Sequence, residues 1–301
     1  MTRPLNELYR VLGISKQSIH QYYKRQQIFD FKFANLLIEV DELRAQHPGC
    51  GVEKMYHTLK PDFIGRDRFV EALMQLGYRV KRAKNYHRTT IPCWYKYPNL
   101  IEGLVVTKKN TVWQSDITYF DLNGRFYYLV FIVDVYTRQI VGYAVSDHLR
   151  AEANLRALRM ALADHGAPRI HHSDRGSQYV DQEYTKLLKD HSVDISMGLQ
   201  AQDNAYAERI NGTIKNEYLQ YWNIKTFNEL KRKVKRAVQH YNAQRIHDAL
   251  PERLAPNEFN LLFQKYQVIE EIYAPKRSIQ REKLLMCNEH IEESELFCKI
   301  N

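Results

Sequence analysis

Three acidic residues lie at positions in strand-like or helix-like segments where a carboxylate needs an explanation. Asp116 lies in the middle of an apolar, strand-like segment, Asp174 follows the end of another, and Glu208 falls one turn into a helix-like segment. A carboxylate in an apolar strand costs free energy unless it is paired or binds a cation. If the three meet in space, a metal ion must offset their repulsion. Oxygen ligands alone favour Mg²⁺ or Mn²⁺ over zinc.

Divalent ions held by such a trio have a specific chemistry. Two ions about 3.5–4 Å apart can clamp a phosphodiester, activating the attacking oxygen and stabilising the leaving oxygen. Any one of the three acids, taken alone, is more readily explained as a structural residue. Their joint arrangement favours a metal-dependent site.

The elements that must position these acids form an α/β unit from Val112 onward. Val112–Leu122 and residues 125–135 have strand patterns, and Asn123-Gly124 between them is a strong two-residue hairpin signal. Residues 139–145 can form a third strand. Helices are then predicted over 151–165, 182–191 and 204–218, with strands over 169–173 and 193–197. This order predicts a ribonuclease H-like mixed sheet with helices on its faces.

An all-α region is predicted before this unit, over residues 1–88. The spacing of Tyr9, Gly13 and Ile19 is typical of a helix-turn-helix, with a small residue at the turn and apolar residues locking two helices. Ser15 can cap the second helix. A plain helical bundle is the alternative. The charge of the region favours contact with DNA.

Positive charge is concentrated at the two ends of the chain. The formal charge is +9, and Lys and Arg exceed Asp and Glu by 8 in residues 1–100, whereas residues 101–220 have two more acids than bases. A basic terminal third favours a polyanionic partner, and nucleic acid fits best. The cationic helix predicted over 228–241 is explained equally well as a solvated face. The predicted DNA contacts in these regions are Arg82, Lys84, Arg88, Lys231 and Lys235.

Other classes of protein are disfavoured. The longest apolar run, 127–133, has seven residues, whereas a membrane-spanning helix needs about 20. Residues 1–10 have no apolar stretch that could serve as a signal peptide. The four cysteines include no Cys-x-x-Cys pair, which disfavours a zinc cluster or a disulfide framework. We therefore predict a cytoplasmic protein without a membrane partner.

Neighbouring polar residues have expected roles of their own. Asn204 is expected to cap the helix that carries Glu208, which would fix the position of that carboxylate. Asp134 can support the site from the second strand, although a structural role fits it better. His172 can orient a phosphate or a water, or serve only as a buried histidine at a strand end.

The strings around the three acids closely resemble the catalytic core of the DDE transposases, the superfamily that includes retroviral integrases. Residues 113–119, 172–179 and 203–217 carry this likeness, and the best match is the second-reading-frame product of the insertion-sequence-3 type. The resemblance implies that Asp116, Asp174 and Glu208 are catalytic and bind two Mg²⁺ or Mn²⁺ ions. It also implies that Lys215 contacts DNA near the reacting end.

The same resemblance implies a function and an organisation. The expected function is DNA 3′-end cleavage and strand transfer by a homo-oligomer bound to the element ends and the target, associated with the bacterial nucleoid. The first-frame protein is a further candidate partner. The expected map is a DNA-binding region over 1–88, a basic linker over 89–110, a catalytic core over 111–260, and an extension over 261–301 with no assigned role.

Two alternatives and one departure from the family remain. A catalytically silent DNA-binding regulator would keep the fold without the reaction, and a ribonuclease H-like nuclease would cut without joining. Thirty-three residues separate Asp174 from Glu208, slightly fewer than is common in the family. The shortening falls in the predicted loop over 198–202, which should leave the acids able to converge.

Overall fold

The computed structural model describes residues 9, 11, 13–80, 97–198, 201–262 and 270–272. The chain divides into two compact units, Met1–Lys81 and Arg82–Asn301. Within the described residues, no helix is long and apolar enough to cross a membrane. The predicted DNA contacts Arg82, Lys84 and Arg88 lie outside the described residues.

The first unit is helical, as predicted. Its helices are α1 (Lys16–Gln46), α2 (Val52–Leu59) and α3 (Arg66–Gln75), and their core includes the fully buried Val40, Met55, Phe69 and Leu73.

The start of α1 follows the sequence-based expectation only in part. Ser15 caps α1 by accepting a hydrogen bond from the backbone N–H of Ser18, and Gly13 has a positive φ of 66°. The helix runs on to Gln46, because no Gly or Pro interrupts residues 16–46. Contact of this unit with DNA stays a prediction.

A five-stranded mixed sheet is the centre of the second unit. Its strands are β2 (Val112–Leu122), β3 (Arg125–Asp134), β4 (Ile140–Ser146), β5 (Ile170–Ser173) and β6 (Asp194–Met197). The strand order is β4-β3-β2-β5-β6, with β2 antiparallel to β3 and parallel to β5. The predicted order of strands and helices is confirmed.

The hairpin between β2 and β3 forms at the predicted dipeptide. Asn123 and Gly124 both have positive φ, 56° and 80°, as a two-residue turn matched to the twist of the strands requires. The Asp121 carboxylate accepts a hydrogen bond from the backbone N–H of Gly124 at 2.8 Å. Asp121 is therefore a turn residue.

Helices cover both faces of the sheet, which explains the nearly continuous apolar run of β3. Leu129, Phe131 and Val133 pack on one face, whereas Val130 and Ile132 pack on the other. Helices α4 (Ala151–His165) and α5 (Gln182–Asp190) share a core with the second set. Helices α6 (Ala205–Thr213) and α7 (Phe227–Ala243) share a core with the first.

Residues in the second half of the predicted linker over 89–110 pack into a hydrophobic core. Ile101 and Val106 are fully buried in a core that also holds Phe259 of helix α8 (Pro256–Leu262). Strand β1 (Leu104–Val106) pairs antiparallel with β7 (Glu270–Ile272). The apolar residues of 100–106 outweigh the linker signal of the basic cluster and prolines that precede them, because their burial stabilises the fold.

Gly142 allows α4 to approach β4 closely, so we expect Gly142→Ala to destabilise the second unit by about 1–3 kcal/mol. A Cβ there would lie 2.3 Å from the carbonyl oxygen of Ala157 and 2.9 Å from the Cβ of Ala161. Urea denaturation measures the effect. Gly212→Ala is the control, because its Cβ meets only ordinary contact and should stabilise α6 by up to about 1 kcal/mol. Equal midpoints for Gly142→Ala and wild type would contradict the close approach.

Candidate active site

The register of the central strands brings two of the three acids together. Ser115 of β2 is the partner of Ser173, the last residue of β5, in a parallel pairing. Asp116 and Asp174 therefore follow on adjacent strands at the same level of the sheet. Glu208 lies in the first turn of α6, which packs against β2. The three acids therefore lie on elements that adjoin one another at the carboxyl end of β5.

The acids interact as like charges. Burial, and then the carboxylates of Asp174 and Glu208, hold the pKa of Asp116 well above its usual range. Burial raises the pKa of Asp174, and the backbone N–H of Gly176, 3.0 Å from its Oδ1, partly offsets this. Burial and then Asp174 raise the pKa of Glu208, the most exposed of the three. Two protons or a cation would relieve this repulsion.

The donor set fits a hard divalent cation. All the donors are carboxylate oxygens, and in the described part of the chain no Lys, Arg or His forms an ion pair with any of the three acids. Among these described residues, no three His, Cys, Asp or Glu side chains are already gathered into a metal-binding group. Unneutralised carboxylates repel one another, and Glu208 is exposed enough to turn outward.

Helix α6 lies along β2 so that successive side chains meet in pairs. Alternate β2 residues face α6: Gln114 reaches Ala207, Asp116 reaches Asn211, and Thr118 reaches Lys215. Two residues of a strand advance about 6.6 Å, and four residues of a helix advance about 6.0 Å, so the two repeats nearly match. We call these three contacts the β2–α6 ladder. The ladder holds the helix that carries Glu208 against the strand that carries Asp116.

The first rung is made by Gln114, which caps α6 from the strand. Its Oε1 accepts hydrogen bonds from the backbone N–H groups of Tyr206 and Ala207 at 3.0 and 3.4 Å, and its Nε2 donates to the Asp203 carbonyl at 3.1 Å. The prediction that Asn204 caps this helix through its side chain is wrong. That amide turns back and donates to the Ser115 carbonyl at 2.8 Å.

The second rung holds Asp116 in place. The Nδ2 of Asn211 donates to Oδ2 of Asp116 at 2.7 Å, and Asn211 is buried. Asn211 comes three residues after Glu208, so both lie on one side of the helix. This spacing was the available signal for a role that the sequence-based reasoning missed.

The third rung places Lys215 on the same side of the sheet as Asp116. Its Nζ donates to Oγ1 of Thr118 at 3.2 Å and lies 4.5 Å from the centroid of the Tyr119 ring. Burial lowers the pKa of Lys215. Lys215 belongs to a π-helical turn, Ile214–Tyr218, that continues α6. The Lys215 ammonium group is thus held beside Thr118, two residues along β2 from Asp116.

Asp134 and His172 have structural roles. Asp134 is buried and accepts hydrogen bonds from the backbone N–H of Asn110 and from the N–H and hydroxyl of Thr137, which close the turn after β3. His172 is fully buried, and its Nδ1 lies 2.8 Å from Oγ of Ser196. Burial lowers the pKa of His172 to about 4, so its ring is neutral and out of reach of a phosphate.

Gln114→Met should free the start of α6 and cost about 1–3 kcal/mol, because two buried N–H donors lose their acceptor. Amide hydrogen exchange should speed up at Tyr206 and Ala207. Gln139→Met is the matched control, since Gln139 binds Asn257 away from the acids. Unchanged exchange at residues 206 and 207 would show that Gln114 does not hold the helix.

The predicted contacts Lys231 and Lys235 lie on exposed sides of α7. They line an open groove of about 490 Å³ along the edge strand β4, together with Arg156 and Met160 of α4. The Nζ of Lys231 sits 4.1 Å from the centroid of the Phe227 ring. None of the three acids lines this groove. Its lining includes the positively charged Arg156, Lys231 and Lys235.

Comparison with known proteins gives consistent matches. Two models described as "Integrase core domain" match residues 106–201 and 192–256. The "Insertion element IS600 uncharacterized 31 kDa protein" of Shigella sonnei is 34% identical, over 80% of this chain and 93% of that protein. The "Putative transposase InsK for insertion sequence element IS150" of Escherichia coli is 28% identical, over 81% and 89%. The HTLV-2 integrase catalytic core domain, solved in complex with magnesium, has a TM-score of 0.43 at 19% identity, over 54% of this chain and 99% of that chain.

Proposed function

Because this chain belongs to the insertion-sequence transposases that carry an integrase core domain, we propose that Asp116, Asp174 and Glu208 cut and join DNA with bound divalent metal ions. The chain is a DDE-type polynucleotidyl transferase, and its family binds DNA and acts in oligomers. The finer proposal is 3′-end cleavage followed by strand transfer, as in the insertion-sequence-3 type. Two Mg²⁺ or Mn²⁺ ions are the proposed cofactor.

One observation supports this proposal most strongly. The Ser115–Ser173 pairing puts Asp116 and Asp174 at the same level of adjacent strands, and the β2–α6 ladder holds the helix that carries Glu208 against β2. Three carboxylates that repel one another, without a cationic side chain bound to any of them in the described residues, lower the stability of the metal-free fold. Such a cost is typical of functional sites, where a ligand supplies the missing charge.

The reaction follows from what the side chains hold in place. Metal ions bound at the carboxylates would activate the attacking oxygen and stabilise the leaving oxygen. Asn211 orients Asp116, and Gln114 fixes the start of the helix that presents Glu208. Water attacks the phosphodiester at the element end and leaves a free 3′-hydroxyl. That hydroxyl attacks a second phosphodiester, releasing its 3′-oxygen, so no serine or tyrosine nucleophile is needed.

DNA contacts are proposed for cations at several places in the chain. Lys215 is the best placed, two strand residues along β2 from Asp116 on the same face. The helical region over 1–88 is proposed to bind DNA through its net positive charge. The remaining proposed contacts are Arg82, Lys84, Arg88, Lys231 and Lys235. The first-frame protein stays a prediction.

The test is incubation of the purified chain with labelled duplexes that carry the ends of its element. With Mg²⁺ or Mn²⁺ we expect new 3′-ends and, on addition of target DNA, joined products; with EDTA we expect neither. Retarded bands without cleavage would favour the silent regulator. Cleavage of unrelated duplexes without joining would favour a nuclease of other specificity.

A further inference from the structure

Helix α7 exposes more positive charge than its fold requires. Its buried side includes Leu230, Val234 and Tyr241, and five of the six residues from 231 to 236 are cationic. The described residues contain no carboxylate within ion-pair distance of Lys231, Lys233 or Lys235. The five cations, within six consecutive residues, are Lys231, Arg232, Lys233, Lys235 and Arg236.

Part of this charge is gathered around one tryptophan. The Nζ of Lys233 lies 5.0 Å from the centroid of the Trp222 ring, and the Cζ of Arg236 lies 5.6 Å from it. Arg232, Lys233 and Arg236 line a cavity of about 420 Å³. We call Trp222 and these three cations the Trp222 cluster. Cation–π contact restrains the side chains in one place and so lowers the entropy that is lost when they bind an anion.

One acid lines the same cavity as these three cations. Glu229 also lines the cavity, but its Oε2 accepts a hydrogen bond from the backbone N–H of Lys225 at 2.8 Å, ahead of the Thr226 cap of α7. One carboxylate that caps a helix faces three cations. The cavity therefore keeps a net positive charge, and an anion would complete it.

The chain limits the distance from Trp222 to the acids. Trp222 follows Lys215 by seven residues and Glu208 by fourteen, through α6, the π-helical turn and a 3-10 turn, Leu219–Tyr221. At about 1.5 Å per helical residue, the backbone of Trp222 lies no more than about 10 Å from that of Lys215 and about 20 Å from that of Glu208. About 20 Å is the length of six base pairs of a DNA duplex, at about 3.4 Å each.

We propose that the Trp222 cluster binds the phosphodiester backbone of the reacting DNA duplex, within about six base pairs of the phosphate held at the acids. This inference rests on the proposed function and adds a second contact to it. Lys215 lies between the two points, so one arm of the duplex would pass from the acids over Lys215 to the cluster. The contact carries no sequence preference, because it is made to the backbone.

The experiment compares Lys233→Ala/Arg236→Ala with Lys186→Ala/Lys189→Ala, which removes two exposed charges from α5. Affinity for element-end duplexes is measured in Ca²⁺ by fluorescence anisotropy. Each duplex has two arms, one on each side of the reacting phosphate; both arms have 15 base pairs in the long duplex, and either arm is shortened to three in the others. We expect the first variant to weaken binding about tenfold on the long duplex. That loss should disappear when one particular arm is shortened, and the control variant should bind every duplex like wild type.

Two outcomes would overturn this inference. One is normal binding of the long duplex by Lys233→Ala/Arg236→Ala; the other is an equal loss on every duplex, which would mean nonspecific charge. A change in oligomeric state without DNA, seen by light scattering, would instead identify the cluster as a protein–protein contact. Wild-type cleavage of the long duplex in Mn²⁺ is scored separately, so that failure of the proposed function is distinguished from failure of this inference.

Discussion

Asp116→Asn should lower DNA cleavage and strand transfer at least about a thousandfold, equivalent to about 4 kcal/mol of transition-state stabilisation. The amide has nearly the same shape but no charge with which to hold a divalent cation beside Asp174. Asp174→Asn and Glu208→Gln should behave alike. Duplex binding, measured by anisotropy in EDTA, should stay within about threefold of wild type, because the acids do not attract phosphates.

The same variant should separate activity from stability. Without divalent ions, Asp116→Asn should melt at or above the wild-type temperature, because the substitution removes a charge that burial and Asp174 both disfavour. Mn²⁺ should raise the melting temperature of wild type more than that of the variant. Asp121→Asn, at the exposed hairpin on the same strand, is the control and should keep activity. Normal joining by Asp116→Asn would remove this residue from the site.

The second large effect is expected at Arg245, in the turn after α7. Its Nε and one terminal nitrogen each donate to a different oxygen of Glu217 at 2.8 Å, and Arg245 is only 8% exposed. Arg245→Met should cost about 2–4 kcal/mol, because the half-buried Glu217 carboxylate loses its guanidinium. Glu217 lies in the π-helical turn with Lys215, so DNA cleavage should fall as well.

A second substitution tests whether charge is the cause. In Arg245→Met/Glu217→Met, most of the lost stability in urea denaturation should return, because a buried ion pair is replaced by apolar groups of similar volume. The exposed pair of Arg125 and Asp147, 3.4 Å apart, is the control, and Arg125→Met should cost less than about 1 kcal/mol. Equal losses of stability in Arg245→Met and Arg125→Met would contradict a special role of the pair of Arg245 and Glu217.

Sequence-based reasoning succeeded where the signal is local. The Asn123-Gly124 turn, the full extent of Val112–Leu122 and the helix Ala151–His165 follow from turn chemistry, side-chain alternation and helix periodicity. The three acids could be selected because a charge in an apolar strand needs an explanation.

The features that sequence-based reasoning missed depend on contacts between distant parts of the chain. Gln114 caps a helix that begins about 90 residues later, so the capping preference of Asn204, which is a local signal, led to the wrong residue. The burial of Ile101 depends on a core shared with Phe259. The pairing of Ser115 with Ser173 is likewise set by the register of the sheet, which no short window of sequence encodes.

The β2–α6 ladder also determines where insertions and deletions can be tolerated during evolution. Because Gln114 ties down the start of α6, residues lost or gained between Met197 and Asp203 should leave Glu208 in place. An extra residue between Ala207 and Lys215 would instead turn every later side chain by about 100° and separate Asn211 from Asp116. Homologues should therefore vary in length before the helix and keep a constant spacing within it.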